Sequence, residues 1–178
     1  TVQDSIIIDV SNNGAYSSQC KTPNNDSDEY WLEDFNNPIL DSDIFSYQVG
    51  NGFFAGNQWI GGWGNNEPQY YTGSGSGDNG NYAKHYNSTN NTTENLFIEN
   101  GYLKIQPIYD INDPFIDPYN GNQFQHTSAR LITSGKKNFQ HPSKLTVCFK
   151  VPDGTGFWPA IWMLNKNIDE PGAYWQKQ

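Results

Sequence analysis

Apolar residues in this chain recur at every second position, and that period constrains the fold more than any other feature. Residues 144–151 read KLTVCFKV, with Leu145, Val147, Phe149 and Val151 on one side and Lys144, Thr146, Cys148 and Lys150 on the other. Successive side chains leave opposite faces of a pleated backbone, so strict alternation marks a half-buried antiparallel strand. Residues 95–107 read NLFIENGYLKIQP, centred on Asn100-Gly101. That pair favours a type I′ turn, in which both central positions need positive φ. It predicts a hairpin with Leu103 and Ile105 on one face and Lys104 and Gln106 on the other. SARLIT, residues 128–133, is a shorter strand ended by Ser134-Gly135, and SIIIDV near the start suits an outer strand. Helical spacing is hard to find. The expectation is an all-β sandwich of many short strands, with long polar loops over residues 73–95 and 109–127.

One segment breaks the alternation. GFWPAIWML, residues 156–164, is apolar on both faces: Trp158, Ala160, Trp162 and Leu164 form one set, and Phe157, Pro159, Ile161 and Met163 the other. Two arrangements of a strand fit. Either both faces are buried, or one face packs on the core while the other lines an aromatic-walled cleft. Pro159 places the strand at an edge or a bulge.

Composition narrows the ligand. The chain has 178 residues, the size of one domain, with 10 Lys plus Arg against 19 Asp plus Glu and a net charge of -9. An acidic chain does not seek phosphate backbones, so nucleic acid is a poor partner. Mean hydropathy is -0.78 although only 16% of residues are charged, because Asn, Gly, Ser and Gln are abundant. Uncharged polar groups with 15% aromatics suit a neutral, hydroxyl-rich ligand. No apolar run approaches the ~18 residues of a membrane helix, and no membrane partner is expected. The start, TVQDSIII, fits a mature N-terminus after leader cleavage. Cys20 and Cys148 allow one disulfide or two free thiols. Asn-x-Ser/Thr sequons at Asn25, Asn87, Asn90 and Asn91 favour a secreted or extracellular protein.

Several motifs fail on context. GSGDNG, residues 75–80, matches a dinucleotide-binding glycine pattern but follows no apolar strand and opens no helix, so it reads as a flexible loop. His85, His126 and His141 lie far apart, which argues against a transition-metal site. Asp110 to Asp113 lacks the glycine and glutamate of a calcium loop.

Three clusters converge. WGNNEPQYYT, residues 63–72, sets Asn65, Asn66 and Glu67 beside aromatic rings. TSARL supplies Arg130, a rigid donor fork, and WPAIW supplies Trp158 and Trp162. Sugars have apolar C–H faces and polar rims, so indoles with a few placed hydrogen-bonding groups suit a polysaccharide cleft. Each feature also has a plainer reading: core tryptophans, a turn at Asn65 to Glu67, a surface arginine.

Taken together, these segments resemble the laminarinase-like branch of glycoside hydrolase family sixteen. The resemblance runs from about Trp31 onward. WLEDFN looks like the family's opening strand, WGNNEPQYYT is close to its W-G-N-N-E-x-Q-Y-Y-T signature, and ENLFIENGYLKI, TSARLITSGK and GFWPAIWML follow in the family's order. The resemblance implies a β-jelly roll with a concave glycan cleft, and β-1,3-glucan as the substrate and partner. It implies that Asn65, Asn66, Glu67, Arg130, Trp158 and Trp162 line subsites near the scissile bond. No cofactor is required, though a structural calcium, common in the family, would use oxygens near Asp34 and the Gly101 hairpin. Residues 1–28 then form an N-terminal extension, and residues 29–178 the N-terminal part of the jelly-roll domain.

Two departures stand out. The family strand G-R-I-E-A-R-x-K-x-P appears as HPSKLTVCFKVP, without the glycine and both arginines. More important, a retaining glycosidase needs two carboxylates about 5–5.5 Å apart, one nucleophile and one acid/base. The family carries them as E-x-D-x-x-E, and that pattern does not occur here. The resemblance therefore implies an endo-β-1,3-glucanase whose catalytic acids are supplied outside these residues, by a further part of the domain or a second chain. The alternatives are a non-catalytic glucan-binding protein or a structural extracellular glycoprotein on the same fold.

Overall fold

The structure, a computed structural model, describes residues 6–9, 31, 33–74, 81–139, 145 and 147–164. In chain order its strands are β1 (Ile6–Asp9), β2 (Ser46–Tyr47), β3 (Gly52–Ala55), β4 (Gln58–Gly61), β5 (Tyr70–Ser74), β6 (Asn81–Tyr82), β7 (Leu96–Glu99), β8 (Tyr102–Ile105), β9 (Ile108–Tyr109), β10 (Phe115–Ile116), β11 (Gln123–Phe124), β12 (His126–Ala129), β13 (Leu131–Ile132) and β14 (Cys148–Lys150). Among the described residues the helical content is one short 3-10 turn, Gly62–Gly64. The class is all-β, as the alternation predicts.

Two four-stranded sheets organise the chain, in the orders β14-β1-β8-β7 and β6-β5-β12-β9. Leu96 and Leu103 from the first sheet share one core cluster with Ala129 from the second, together with Phe35 and Leu40. A cluster drawn from both sheets is what a two-layer jelly-roll sandwich produces. Pairing is antiparallel with one exception: β5 and β12 run parallel, Tyr71 opposite Ser128. A parallel pair needs a long crossover, and the residues between these strands provide it.

The predicted hairpin forms at its expected register, Ile98 opposite Leu103 and Glu99 opposite Tyr102. Asn100 and Gly101 have φ of 56° and 77°, the type I′ geometry their identities demand. Leu103 is buried, and Lys104 pairs with Glu99. β1 lies between β8 and β14 instead of at an edge. Its three consecutive isoleucines are β-branched, which favours the extended backbone of a strand.

The structure corrects other expectations. Residues 157–164 form no strand, and Trp158 and Trp162 are 85% and 45% exposed. Pro159 lacks the N–H a ladder needs, and no described strand lies beside this segment to pair with it. SARLIT is interrupted at Arg130, with β12 and β13 belonging to different ladders. The segment 109–127 is not simply a loop. It contains the β10–β11 hairpin, whose Phe115 and Phe124 rings lie 4.6 and 5.2 Å from that of Tyr70. Isolated aromatics within polar sequence give no period, so their docking was invisible to pattern. Cys148 is disulfide-bonded. The glycine-rich stretch 75–80 lies outside the described residues.

A polar device ties the layers together. Asn95, fully buried, accepts from Thr72 Oγ1 at 2.6 Å and donates to the Gln106 carbonyl at 2.8 Å and Thr127 Oγ1 at 3.1 Å. Each buried polar group there finds a partner, which offsets the cost of leaving water.

Candidate functional site

The site is built on a sharply wound loop between β4 and β5. Gly62, Trp63, Gly64 and Asn66 all have positive φ, between 50° and 78°. For a residue as bulky as Trp63 (φ 50°) this is a strained conformation, held only where the surroundings over-determine it. Those surroundings are visible. Trp63 is buried, its ring stacks 6.0 Å from Phe53, and its Nε1 donates to the Gly50 carbonyl at 3.3 Å. Asn51 clasps the loop: its Nδ2 donates to the Glu67 and Gln69 carbonyls at 2.9 and 2.6 Å, and its Oδ1 accepts from the Gly62 N–H at 3.3 Å. Gly62 must be glycine, because a Cβ there would stand 2.9 Å from the Glu67 nitrogen.

Glu67 is the centre of a closed hydrogen-bond triangle. Its Oε2 accepts from Tyr71 Oη at 2.7 Å and from Gln69 Nε2 at 2.9 Å, while Gln69 also donates to Tyr71 Oη at 2.9 Å. Its Oε1 accepts a longer bond, 3.4 Å, from Asn65 Nδ2. Burial and the neighbouring Glu67 carboxylate push the Tyr71 phenol up to about 12. The phenol is therefore a fixed donor at neutral pH.

Arg130 sits where β12 gives way to β13. Its guanidinium lies 4.2 Å over the Trp63 ring and 5.3 Å from that of Trp162, with Tyr71 at 5.9 Å. Burial lowers its pKa, and Tyr71 and Glu67 act in the opposite direction. An arginine stays charged under these conditions, so the fork is a cation held between two indoles, a geometry worth about 1–2 kcal/mol when partly desolvated.

The sequence-derived residues thus divide. Asn65, Glu67, Arg130 and Trp162 come together. Asn66 is exposed beside them, in the left-handed conformation. Trp158 stands 85% exposed and makes no ring contact among the described residues. Trp63, Gln69, Tyr71 and Asn51 were missed as site residues. The first three sit inside the WGNNEPQYYT signature itself, whereas nothing marked Asn51. Asp34 directs its carboxylate to Asn36, accepting from its N–H at 3.1 Å and its Nδ2 at 2.6 Å. Among the described residues no three His, Cys, Asp or Glu gather as a metal cluster.

The arrangement can bind and orient a hydroxyl-rich ligand. Guanidinium, amide and phenol groups are fixed beside aromatic faces. It does not itself pair two carboxylates, since Glu67 is the one acid in the cluster and both its oxygens are already accepting.

No family model matches the sequence. Among curated proteins, glucan endo-1,3-beta-glucosidase A1 of Niallia circulans is 30% identical over 141 residues, covering 77% of this chain and 17% of that protein. The beta-glucanase of Rhodothermus marinus is 30% identical over 146 residues, covering 82% of this chain and 38% of that protein. Among solved structures, the catalytic domain of an endo-1,3-beta-glucanase (laminarinase) from Thermotoga petrophila RKU-1 aligns with a TM-score of 0.40 at 31% identity, over 62% of this chain and 33% of that one. The chain spans less than two fifths of either curated relative.

Proposed function

We propose that this chain is part of a laminarinase-like member of glycoside hydrolase family sixteen and that the whole protein hydrolyses β-1,3-glucan. The observation that carries this reading is the Arg130 guanidinium clamped between Trp63 and Trp162 beside the Glu67–Gln69–Tyr71 triangle. It is a rigid polar and aromatic wall suited to the rim and face of a glucosyl unit. Cleavage proceeds by double displacement: one glutamate attacks C1, a second protonates the leaving oxygen, and water then releases the sugar with retained configuration. Both acids lie outside these residues. Within this chain Arg130, Asn65, Asn66, Trp162 and Trp158 bind sugar, and Glu67 acts by fixing Tyr71 and Gln69.

The same proposal places the protein outside the cell, where such polysaccharides are met. It also includes a structural calcium near Asp34 and Gly101, which rests on the family resemblance. Removing calcium with a chelator then lowers the unfolding temperature without touching the wall.

The test is laminarin digestion by the intact protein, followed by NMR of the first reducing ends released. Products that appear first as the β-anomer support the reading. An intact protein that neither binds nor cleaves laminarin overturns it. Binding without cleavage would establish the second reading, a glucan-recognition protein.

A further inference from the structure

Away from this wall, residues 87–93 read NSTNNTT and carry three sequons, at Asn87, Asn90 and Asn91, the last two overlapping. The fold treats them very differently. Asn87 and Thr92 pair across a tight hairpin, exchanging backbone bonds of 2.9 and 3.2 Å. Asn87 is exposed at its mouth. Its Oδ1 accepts from the Thr89 N–H at 3.0 Å and the Asn90 N–H at 3.3 Å, an Asx turn that fixes the side chain by its oxygen. Its Nδ2 donates to nothing among the described residues, and the sequon's Ser88 and Thr89 are exposed as well.

Asn91 is the reverse case. It is half-buried, its Nδ2 donates to the Leu40 carbonyl at 3.2 Å, and its Oδ1 accepts from Tyr86 Oη at 3.1 Å. Its backbone carbonyl takes the Tyr47 hydroxyl at 3.0 Å. A saccharide on that nitrogen would stand where core-supporting partners now are. The sequon hydroxyls of Asn90 and Asn91 belong to Thr92 and Thr93, which are 8% and 5% exposed. The Asn90 carbonyl also accepts the Leu40 N–H at 2.9 Å.

We propose that Asn87 is the residue of this loop that carries an N-linked glycan. The donor class is a lipid-pyrophosphate-linked oligosaccharide. A bond forms from Asn87 Nδ2 to C1 of its first sugar, the C1–O bond to pyrophosphate breaks, and the amide nitrogen gives up one proton. The modified Asn87 keeps its oxygen, so the Asx turn persists, and the glycan projects into solvent. The glycan would stand beside a polar cavity of about 740 Å³ whose lining includes Ser88, Thr89, Tyr86 and Asn91 and none of the wall residues.

The experiment is secretion of the intact protein from eukaryotic cells, then enzymatic deglycosylation in heavy-oxygen water and peptide mapping. The expected isotope tag falls on Asn87. Asn87→Gln and Thr89→Ala both abolish the tag in this loop, the second without altering the Asx turn, which uses the Thr89 backbone. A tag on Asn90 or Asn91 in folded protein overturns the proposal, as does a folded protein with no tag in this loop.

Discussion

Two aromatic regions of this chain have opposite fates. Trp63 is 9% exposed and held in a strained backbone conformation, whereas Trp158 is 85% exposed and lies in a segment with no strand. In sequence Trp158 has the more apolar neighbours, Phe157 and Pro159, and Trp63 has only Gly62 and Gly64. The difference is support. Trp63 has Phe53, Tyr71 and Arg130 against its ring and Asn51 clasping its loop, while Trp158 makes no ring contact among the described residues. A wall is positioned by the groups behind it, and Trp63 has them on several sides.

The sharpest way to break that contrast is to remove what supports the buried side. Asn95→Ala orphans the Thr127 hydroxyl and the Gln106 carbonyl and leaves the Thr72 hydroxyl only its longer bond, 3.3 Å, to the Ser128 carbonyl. The expected loss is about 3 kcal/mol or more, since each orphaned buried group costs about 1–3 kcal/mol; the midpoint of denaturant unfolding measures it. Gly62→Ala adds a Cβ 2.9 Å from the Glu67 nitrogen at φ 55°. It is expected to cost about 2 kcal/mol and to weaken laminari-oligosaccharide binding, because the loop carrying Glu67 must move.

A milder change sharpens the comparison. Arg130→Lys keeps the charge but loses the planar guanidinium that lies over both indoles, so glucan affinity falls about tenfold in calorimetric titration, corresponding to about 1.4 kcal/mol. An unchanged affinity would remove Arg130 from the site.

Alkaline pH tests the triangle. Burial is the main cause raising the phenols of Tyr47, Tyr70 and Tyr71, and Tyr71 reaches about 12. A folded pKa above the unfolded value of about 10 means stability that is complete below about pH 10 and lost as pH rises through about 12. The unfolding midpoint should hold level up to about pH 10 and fall beyond it. Tyr71→Phe should cost about 1–2 kcal/mol at neutral pH through the lost bond to Glu67, and should flatten part of that alkaline fall. The smallest effect belongs to the open side: Trp158→Ala should move stability by no more than about 0.5 kcal/mol while lowering glucan affinity.

Much of this was legible in the sequence. Asn100-Gly101 fixed the β7–β8 hairpin because both residues tolerate positive φ, and Leu103 fell on the buried face because side chains alternate. The convergence of Asn65, Glu67, Arg130 and Trp162 was also foreseen, though through motif order. Arg130 lies far along the chain from the loop it stacks on, and no local rule links them. The misreadings share a cause. Residues 157–164 have strand-like composition, but a strand exists only where a neighbour accepts its hydrogen bonds. Phe115 and Phe124 have no periodic context, and their burial came from the ring of Tyr70.

By itself, then, the sequence determined what depends on adjacent residues: the all-β class, the type I′ turn and the alternation through the hairpin it closes. The tertiary structure decided what depends on residues far apart. It placed Arg130 beside Trp63 and Trp162, clasped the Glu67 loop with Asn51, and left Asn87 exposed while enclosing Asn91. Turn conformation is set by local sterics over a few bonds. Burial and hydrogen-bond partners are set by which distant strands the fold brings within a few ångströms.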